Sequence, residues 1–195
     1  TEFVWARLAS FYASNSFGAY FYPEVNDEVI LGFIDGNPAY PVVLGSMYSS
    51  ALPPAESLQP ADSNNNLKAL FTRSNLQMQF DDENIIMTFL TPNGNTMVLS
   101  DQDESITITD QNSNQILMNG DGVTITSASA MTIKATDDMT IQASSITMTA
   151  DNDISISGNG ITVSADDSLS MSGSSSADLS SSGDTSISGS TVNLN

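Results

Sequence analysis

From residue 106 onward the chain repeats one short phrase, an apolar residue, a small polar residue and another apolar residue, at intervals that settle to seven or eight. The pairs are Ile106/Ile108, Ile116/Met118, Val123/Ile125, Met131/Ile133, Met139/Ile141, Ile146/Met148, Ile154/Ile156, Ile161/Val163, Leu169/Met171, Ala177/Leu179, Thr185/Ile187 and Val192/Leu194. Spacing of i, i+2 puts both apolar side chains on one face of a strand and sends the residue between them to the other. The segments between pairs are Ser, Asp, Asn, Gly and Ala, as in Ala150-Asp151-Asn152-Asp153 and Gly158-Asn159-Gly160, which is turn chemistry. The pattern predicts short strands with a corner every seven or eight residues.

A fixed period this short belongs to β-helices and solenoids, in which one repeat cannot bury its own apolar face and must stack on others. Each repeat offers only two inward positions, which suits a narrow prism shared among several chains. Two buried side chains give about 2 kcal/mol each, whereas ordering each residue costs about 1 to 2 kcal/mol. One copy alone is therefore not expected to fold over this segment, but three intertwined copies close the sheet laterally and bury both inward positions. The predicted fold is all-β, ending in an intertwined triple-stranded β-helix from 111 to 195. Its expected trimer core is Ile106, Ile108, Ile116, Met118, Val123, Ile125, Met131, Ile133, Met139, Ile141, Ile146, Met148, Ile154, Ile156, Ile161, Val163, Leu169, Met171, Leu179 and Ile187. One strand spacing per repeat makes the rod roughly 55 Å long.

Charge and composition narrow the function. The 195 residues carry 4 basic and 23 acidic side chains, a net charge of -19, with no histidine and no cysteine. That balance argues against a nucleic-acid partner, since phosphate backbones are held by Lys and Arg. Without His or Cys, the commonest general base, thiolate chemistry and Cys-bound zinc are gone. The many Ser residues have no evident activating base, and the acids sit in turns, so no enzyme activity, cofactor or metal is expected. Doublets such as Asp81-Asp82, Asp137-Asp138 and Asp166-Asp167 are calcium-type ligands, yet no EF-hand loop or calcium β-roll nonapeptide occurs. Past Arg73 a single Lys134 faces sixteen acids, a solubilising surface for a rod. No apolar run reaches the length of a membrane-spanning helix.

Upstream, residues 1 to about 50 alternate aromatic and aliphatic runs with turn signals such as Ser14-Asn15-Ser16 and Asp35-Gly36-Asn37-Pro38, which predicts a small all-β barrel. Residues 51–66, with Pro53-Pro54, Pro60 and Asn64-Asn65-Asn66, read as a linker. Residues 67–110 read as a transition region of longer strands in which Leu76/Met78/Phe80, Ile85/Met87/Phe89 and Met97/Leu99 each face one way, with Pro92-Asn93-Gly94-Asn95 as a turn. The first residue is Thr1 and the chain opens inside a strand-like run, so a fragment of a longer protein is expected.

At this point Trp5-Ala6-Arg7, Phe17-Gly18-Ala19-Tyr20-Phe21-Tyr22-Pro23-Glu24-Val25, Asp27-Glu28-Val29, Gly32-Phe33 and Tyr40-Pro41-Val42-Val43-Leu44-Gly45-Ser46-Met47-Tyr48 resemble the OB-fold of the valine-glycine repeat (VgrG) spike proteins of contractile injection machines. Lys68-Ala69-Leu70-Phe71-Thr72-Arg73-Ser74 and Thr91-Pro92-Asn93-Gly94-Asn95 are similar to the passage from that OB-fold into a triple-stranded β-helix. Residues 1–50 are then the OB-fold, whole or its C-terminal part. Ser, Ala and Asp hold most corners here, departing from the family's Val-Gly rhythm. The resemblance implies a homotrimeric needle in a type VI, extracellular contractile or myovirus particle. Such a needle is assembled in the bacterial cytoplasm, expelled on firing and driven through a target envelope with transient membrane contact. It also implies docking to a tail tube or baseplate hub through amino-terminal domains, and a PAAR-repeat tip protein at Val192, Asn193, Leu194 and Asn195. A trimeric adhesin or tail-fibre receptor-binding protein is one alternative. An ice-binding β-helix is another, suggested by the row Thr107, Thr124, Thr132, Thr140, Thr147 and Thr162 but broken by Ser155, Ser170 and Ser186. Trp5, Phe11, Tyr12, Phe33 and Tyr48 are expected in barrel core or between subunits.

Overall fold

The structure is a computed structural model that describes residues 3–58 and 63–193. Pro60 of the expected linker lies outside the described residues. The chain divides into two compact units, Thr1–Lys134 and Ala135–Asn195. The first unit holds two sheets.

The smaller sheet has three strands, β1 (Arg7–Leu8), β2 (Val29–Phe33) and β3 (Pro41–Ser46), in the order β1-β3-β2. β1 runs parallel to β3 and β2 antiparallel to it. A bulge follows from the register, since Ile30 faces Gly45 while Leu31 faces Val43, leaving Leu44 as the extra residue. Ahead of β2 a tight hairpin bridges Ala13 and Gly18. Gly18 is needed there: its φ is +147°, and a Cβ would lie 2.6 Å from the Tyr12 carbonyl oxygen. Three strands do not close a barrel, so of the two places expected for the aromatics, barrel core or between subunits, one chain does not make the first. Trp5 is 96% exposed, Phe11 89% and Tyr48 75%. Tyr12 and Phe33 are also exposed, so in this chain none of the five is core.

The larger sheet is an antiparallel meander of seven strands in chain order: β4 (Leu67–Phe71), β5 (Gln77–Asp81), β6 (Ile86–Leu90), β7 (Thr96–Ser100), β8 (Ser105–Thr109), β9 (Gln115–Asn119) and β10 (Gly122–Thr126). It runs without a break through residue 110, past the point where the sequence pattern placed the end of the transition region. The reason lies in the loops. Those after β4, β6 and β8 each have five residues and the same capping. The amide of the fifth residue donates to the side chain of the first: Leu76 to Thr72 Oγ1 at 3.0 Å, Asn95 to Thr91 Oγ1 at 3.2 Å, Asn114 to Asp110 Oδ1 at 2.8 Å. The fourth residue takes positive φ each time, at Asn75 (60°), Gly94 (91°) and Ser113 (68°). Thr72, Thr91 and Asp110 recur at 19 residues. The opposite rim shows the same interval, with Asp81, Ser100 and Asn119 accepting amide hydrogen bonds from Asn84, Asp103 and Asp121. Leu76 and Ile85 lie in these connections, Ile85 at φ 56°, and so leave the facing sets to which alternation had assigned them.

The second unit forms no strand among its described residues. Its backbone bends at Thr136-Asp137, Ser144, Asp151-Asn152, Asn159, Asp166-Asp167, Ser174-Ser175, Ser182-Gly183 and Ser190, between the apolar pairs. The single hydrogen bond among these residues runs from the Gly183 amide to Ser181 Oγ, at 3.1 Å. The short strands expected here are not made by one chain alone. Between its apolar pairs the chain lacks the five-residue capped loop that reverses the meander, and it has no neighbour of its own to pair with.

Candidate trimerisation surface

Pairing in register stacks the apolar side chains of the meander into two rows on one face. One row is Leu70, Met78, Phe89, Met97, Ile108, Ile116 and Ile125. The other runs Phe80, Met87, Leu99, Ile106, Met118 and Val123, with Lys68 at its start. Cross-strand apolar contacts of this kind are the unit of sheet stabilisation. The first six residues of the expected trimer core thus share one face of the chain's own sheet.

That face has no cover. Met97, Ile108 and Ile116 are more than a third exposed, and Val123 reaches 67%. Among the described residues only Pro41 and Ser100 are buried. The accessible surface is 17623 Å². A folded monomer of 20.6 kDa should expose only about 9,000 Å². The chain therefore keeps roughly twice the surface that a self-contained protein of its mass leaves to water.

The reverse face changes along the sheet. Near β4–β6 it carries Leu67, Phe71, Ile86 and Leu90, whereas by β8–β10 it is Ser105, Thr107, Thr109, Gln115, Thr124 and Thr126, with Leu117 the exception. Only the ladder face stays apolar throughout.

The remaining expected core residues, Met131, Ile133, Met139, Ile141, Ile146, Met148, Ile154, Ile156, Ile161, Val163, Leu169, Met171, Leu179 and Ile187, lie beyond the meander and are all exposed, from 49% at Met131 to 84% at Met171. The structure does not bring them together within one chain. Val192 is 48% exposed, Asn193 is exposed, and Leu194 and Asn195 lie outside the described residues. Among the described residues no group of three acidic, His or Cys side chains could hold a metal ion, and no helix is long and apolar enough to cross a membrane.

Electrostatics add little attraction within the chain. Lys68 pairs with Asp82, and Arg73 reaches Glu24 at 3.1 Å with 82% of its side chain exposed. Two carboxylates are tuned by the loops. Asp81 is held below the ordinary 3.8 chiefly by the Asn84 side chain, and Asp110 likewise by the Asn114 side chain.

Family comparison finds a match at each of the two sheets. Residues 1–48, which contain the three-stranded sheet, match the type VI secretion system/phage-baseplate injector OB domain, and residues 85–142 match the phage baseplate V C-terminal trimerisation domain. The chain is similar to the VgrG-type spike proteins. A type VI secretion system spike protein of Pseudomonas aeruginosa, VgrG4b, is 35% identical over 66 residues, which are 34% of this chain and 8% of that protein. The chain thus spans a small part of the length of the curated relative it matches. The matched trimerisation domain covers β6 to β10 and continues through Met131/Ile133 and Met139/Ile141, joining the paired meander to unpaired repeats. The role that goes with a VgrG-type spike is structural, as part of a secretion or phage-type injection particle.

Loop capping is what sequence patterning missed. The signal was present as Thr72, Thr91 and Asp110 at 19-residue steps, each followed four residues later by Leu76, Asn95 or Asn114. Apolar alternation alone does not reveal it.

Proposed function

We propose that three copies of this chain form the needle of a contractile injection particle. In it the ladder faces of the meander meet across a threefold axis, and the 7–8-residue repeats intertwine into a triple-stranded β-helix. The observation that carries this reading is the state of residues 135–193: exposed apolar pairs at regular steps, on a backbone with a single hydrogen bond. Backbone amides and carbonyls are obligatory hydrogen-bonding groups. A segment that pairs almost none of its own is supplied by other chains, and at this repeat length the other chains are copies of itself.

Inward residues from 106 to 187 then form the shared core, and the domains run as an OB region, a linker, a transition sheet and the needle. Strands stacked about 4.7 Å apart resist compression along the axis, which suits a part pushed through an envelope. The resemblance to VgrG spikes further supports assembly in the bacterial cytoplasm, expulsion on firing, docking of the particle hub through other domains and a PAAR-repeat tip protein around Val192 and Asn193. Enzymatic activity has no part in this reading.

Sedimentation of the purified chain tests it. The expected species has three times the 20.6 kDa of one copy, and a monodisperse monomer would end the proposal. Co-purification of a PAAR-repeat protein with the full chain, lost on removal of residues 188–195, tests the tip assignment separately.

A further inference from the structure

Resting on the trimeric reading above, we propose that Asn114 is a positioning residue that sets the register in which the three copies enter their shared fibre.

The need for such a device comes from the repeats. Sliding one copy by 15 residues places Met131/Ile133 level with Ile146/Met148, and Met139/Ile141 level with Ile154/Ile156. Apolar meets apolar in both registers. Pairing is weakly specified wherever a shift restores the same pattern, so the repeats cannot choose their own alignment. The choice has to come from a part that does not slide.

The meander is such a part, because its hydrogen bonds close within one chain and each loop has a fixed length. Its last rung grips the departing strand. Asn114 donates from Nδ2 to Asp110 Oδ2 at 2.8 Å, which locks its amide in place. Its Oδ1 accepts from the Ala128 amide at 2.9 Å and from Ser127 Oγ at 3.2 Å. Ser127 and Ala128 are the first two residues after β10. One rung earlier Asn95 makes the same fork: Nδ2 donates to Thr91 Oγ1 at 2.9 Å, and Oδ1 accepts from the Gln111 amide at 3.1 Å. The upstream fork ties one loop to the next loop of the same sheet. The downstream fork, alike in layout but closed on a carboxylate in place of a hydroxyl, ties the last loop on that rim to the residues where the chain stops pairing with itself. Three copies related by a threefold axis then release their strands at one height, and identical residues meet level in every later layer.

The chain has no cysteine, so single thiols report register directly. Full-length chains carrying Ile141→Cys and Ile156→Cys are co-expressed and oxidised, and the disulfides are mapped by mass spectrometry. With Asn114 present, the expected links are 141–141 and 156–156, with 141–156 at background. In the Asn114→Ala background the trimer mass is expected to persist while 141–156 links rise to a level comparable with the like–like links. An Asn114→Ala trimer with only like–like links would overturn the assignment while leaving the trimeric reading intact, whereas monomeric parent chains would remove that reading itself. Should Asn114→Ala fail to assemble, the exchanged pair Asp110→Asn/Asn114→Asp decides. It restores the side-chain contact and the acceptor for Ala128, so an in-register trimer supports the assignment and continued failure overturns it. Asn95→Ala, which leaves the exit fork untouched, is expected to give like–like links only, and mixed links from it would also count against a role specific to Asn114.

Discussion

Residues 67–126 and 135–193 use the same alternation of apolar and polar residues, yet one region pairs with itself and the other with almost nothing in its own chain. Strand chemistry is similar on both sides of the divide: Ile106-Thr107-Ile108 and Ile146-Thr147-Met148 differ little. What differs is the connection. A five-residue loop with an oxygen at its first position and a residue of positive φ at its fourth turns the chain back on itself. A short run of Ser, Asp, Asn and Gly without that capping only bends it onward. In this protein the loops, more than the strands, decide whether a hydrophobic face is completed by the same chain or by another.

The comparison breaks most sharply at the axis. Ile141→Asp or Ile156→Asp places three carboxylates together without partners, a cost of several kcal/mol. Sedimentation is expected to show monomer while the circular dichroism of the meander persists. Normal trimer yield from either variant would mean these positions do not face inward.

A smaller effect is expected on the self-paired side. Gly94 sits at φ +91°, and a Cβ added there would meet nothing within 4 Å, so Gly94→Val meets backbone strain alone. Strain of this kind costs about 1 to 3 kcal/mol. Faster hydrogen exchange should be confined to β6 and β7, leaving residues 135–193 as protected as in the parent trimer. Loss of protection across the fibre instead would show that the two regions are not separable.

Loop carboxylates sharpen the contrast through pH. Folding holds Asp81 and Asp110 below the ordinary 3.8, so their contribution is complete above that value and is lost as pH falls through the lower folded-state values. Amide exchange in the meander loops is expected to rise in strong acid, and Asp110→Asn should remove the Asp110 share of that rise. An acid profile unchanged by the substitution would show that the Asn114 contact does not hold the loop. Smallest of all is Arg73→Ala, which removes an exposed ion pair with Glu24. It should shift stability by under about 1 kcal/mol and less in high salt, and a larger shift in a thermal melt would give this contact a role its exposure does not support.

Much of this was legible in the sequence. The shared face of Met78, Phe80, Met87, Phe89, Met97 and Leu99 follows from alternation and is matched by strand register. The OB region was legible from its residue runs and is matched by comparison. Alternation overran at Leu76 and Ile85 because an apolar residue in a loop carries the same letter as one in a strand. The end of the meander at Thr126, beyond 110, was hidden because its cause is a side-chain oxygen on Asp110 and a left-handed Ser113. The exposure of Trp5 and Phe11 was hidden for another reason: whether an aromatic run closes into a core depends on strand number, and three strands leave it open.

The near absence of internal bonds in residues 135–193 has a consequence for how such a protein changes over generations. In the proposed fibre, layers that owe nothing to one another within the chain can be gained or shed two at a time, in steps of 15 residues, without rewiring anything already built. Length becomes a dial turned by simple duplication, whereas widening the meander demands a new capped loop for every strand added.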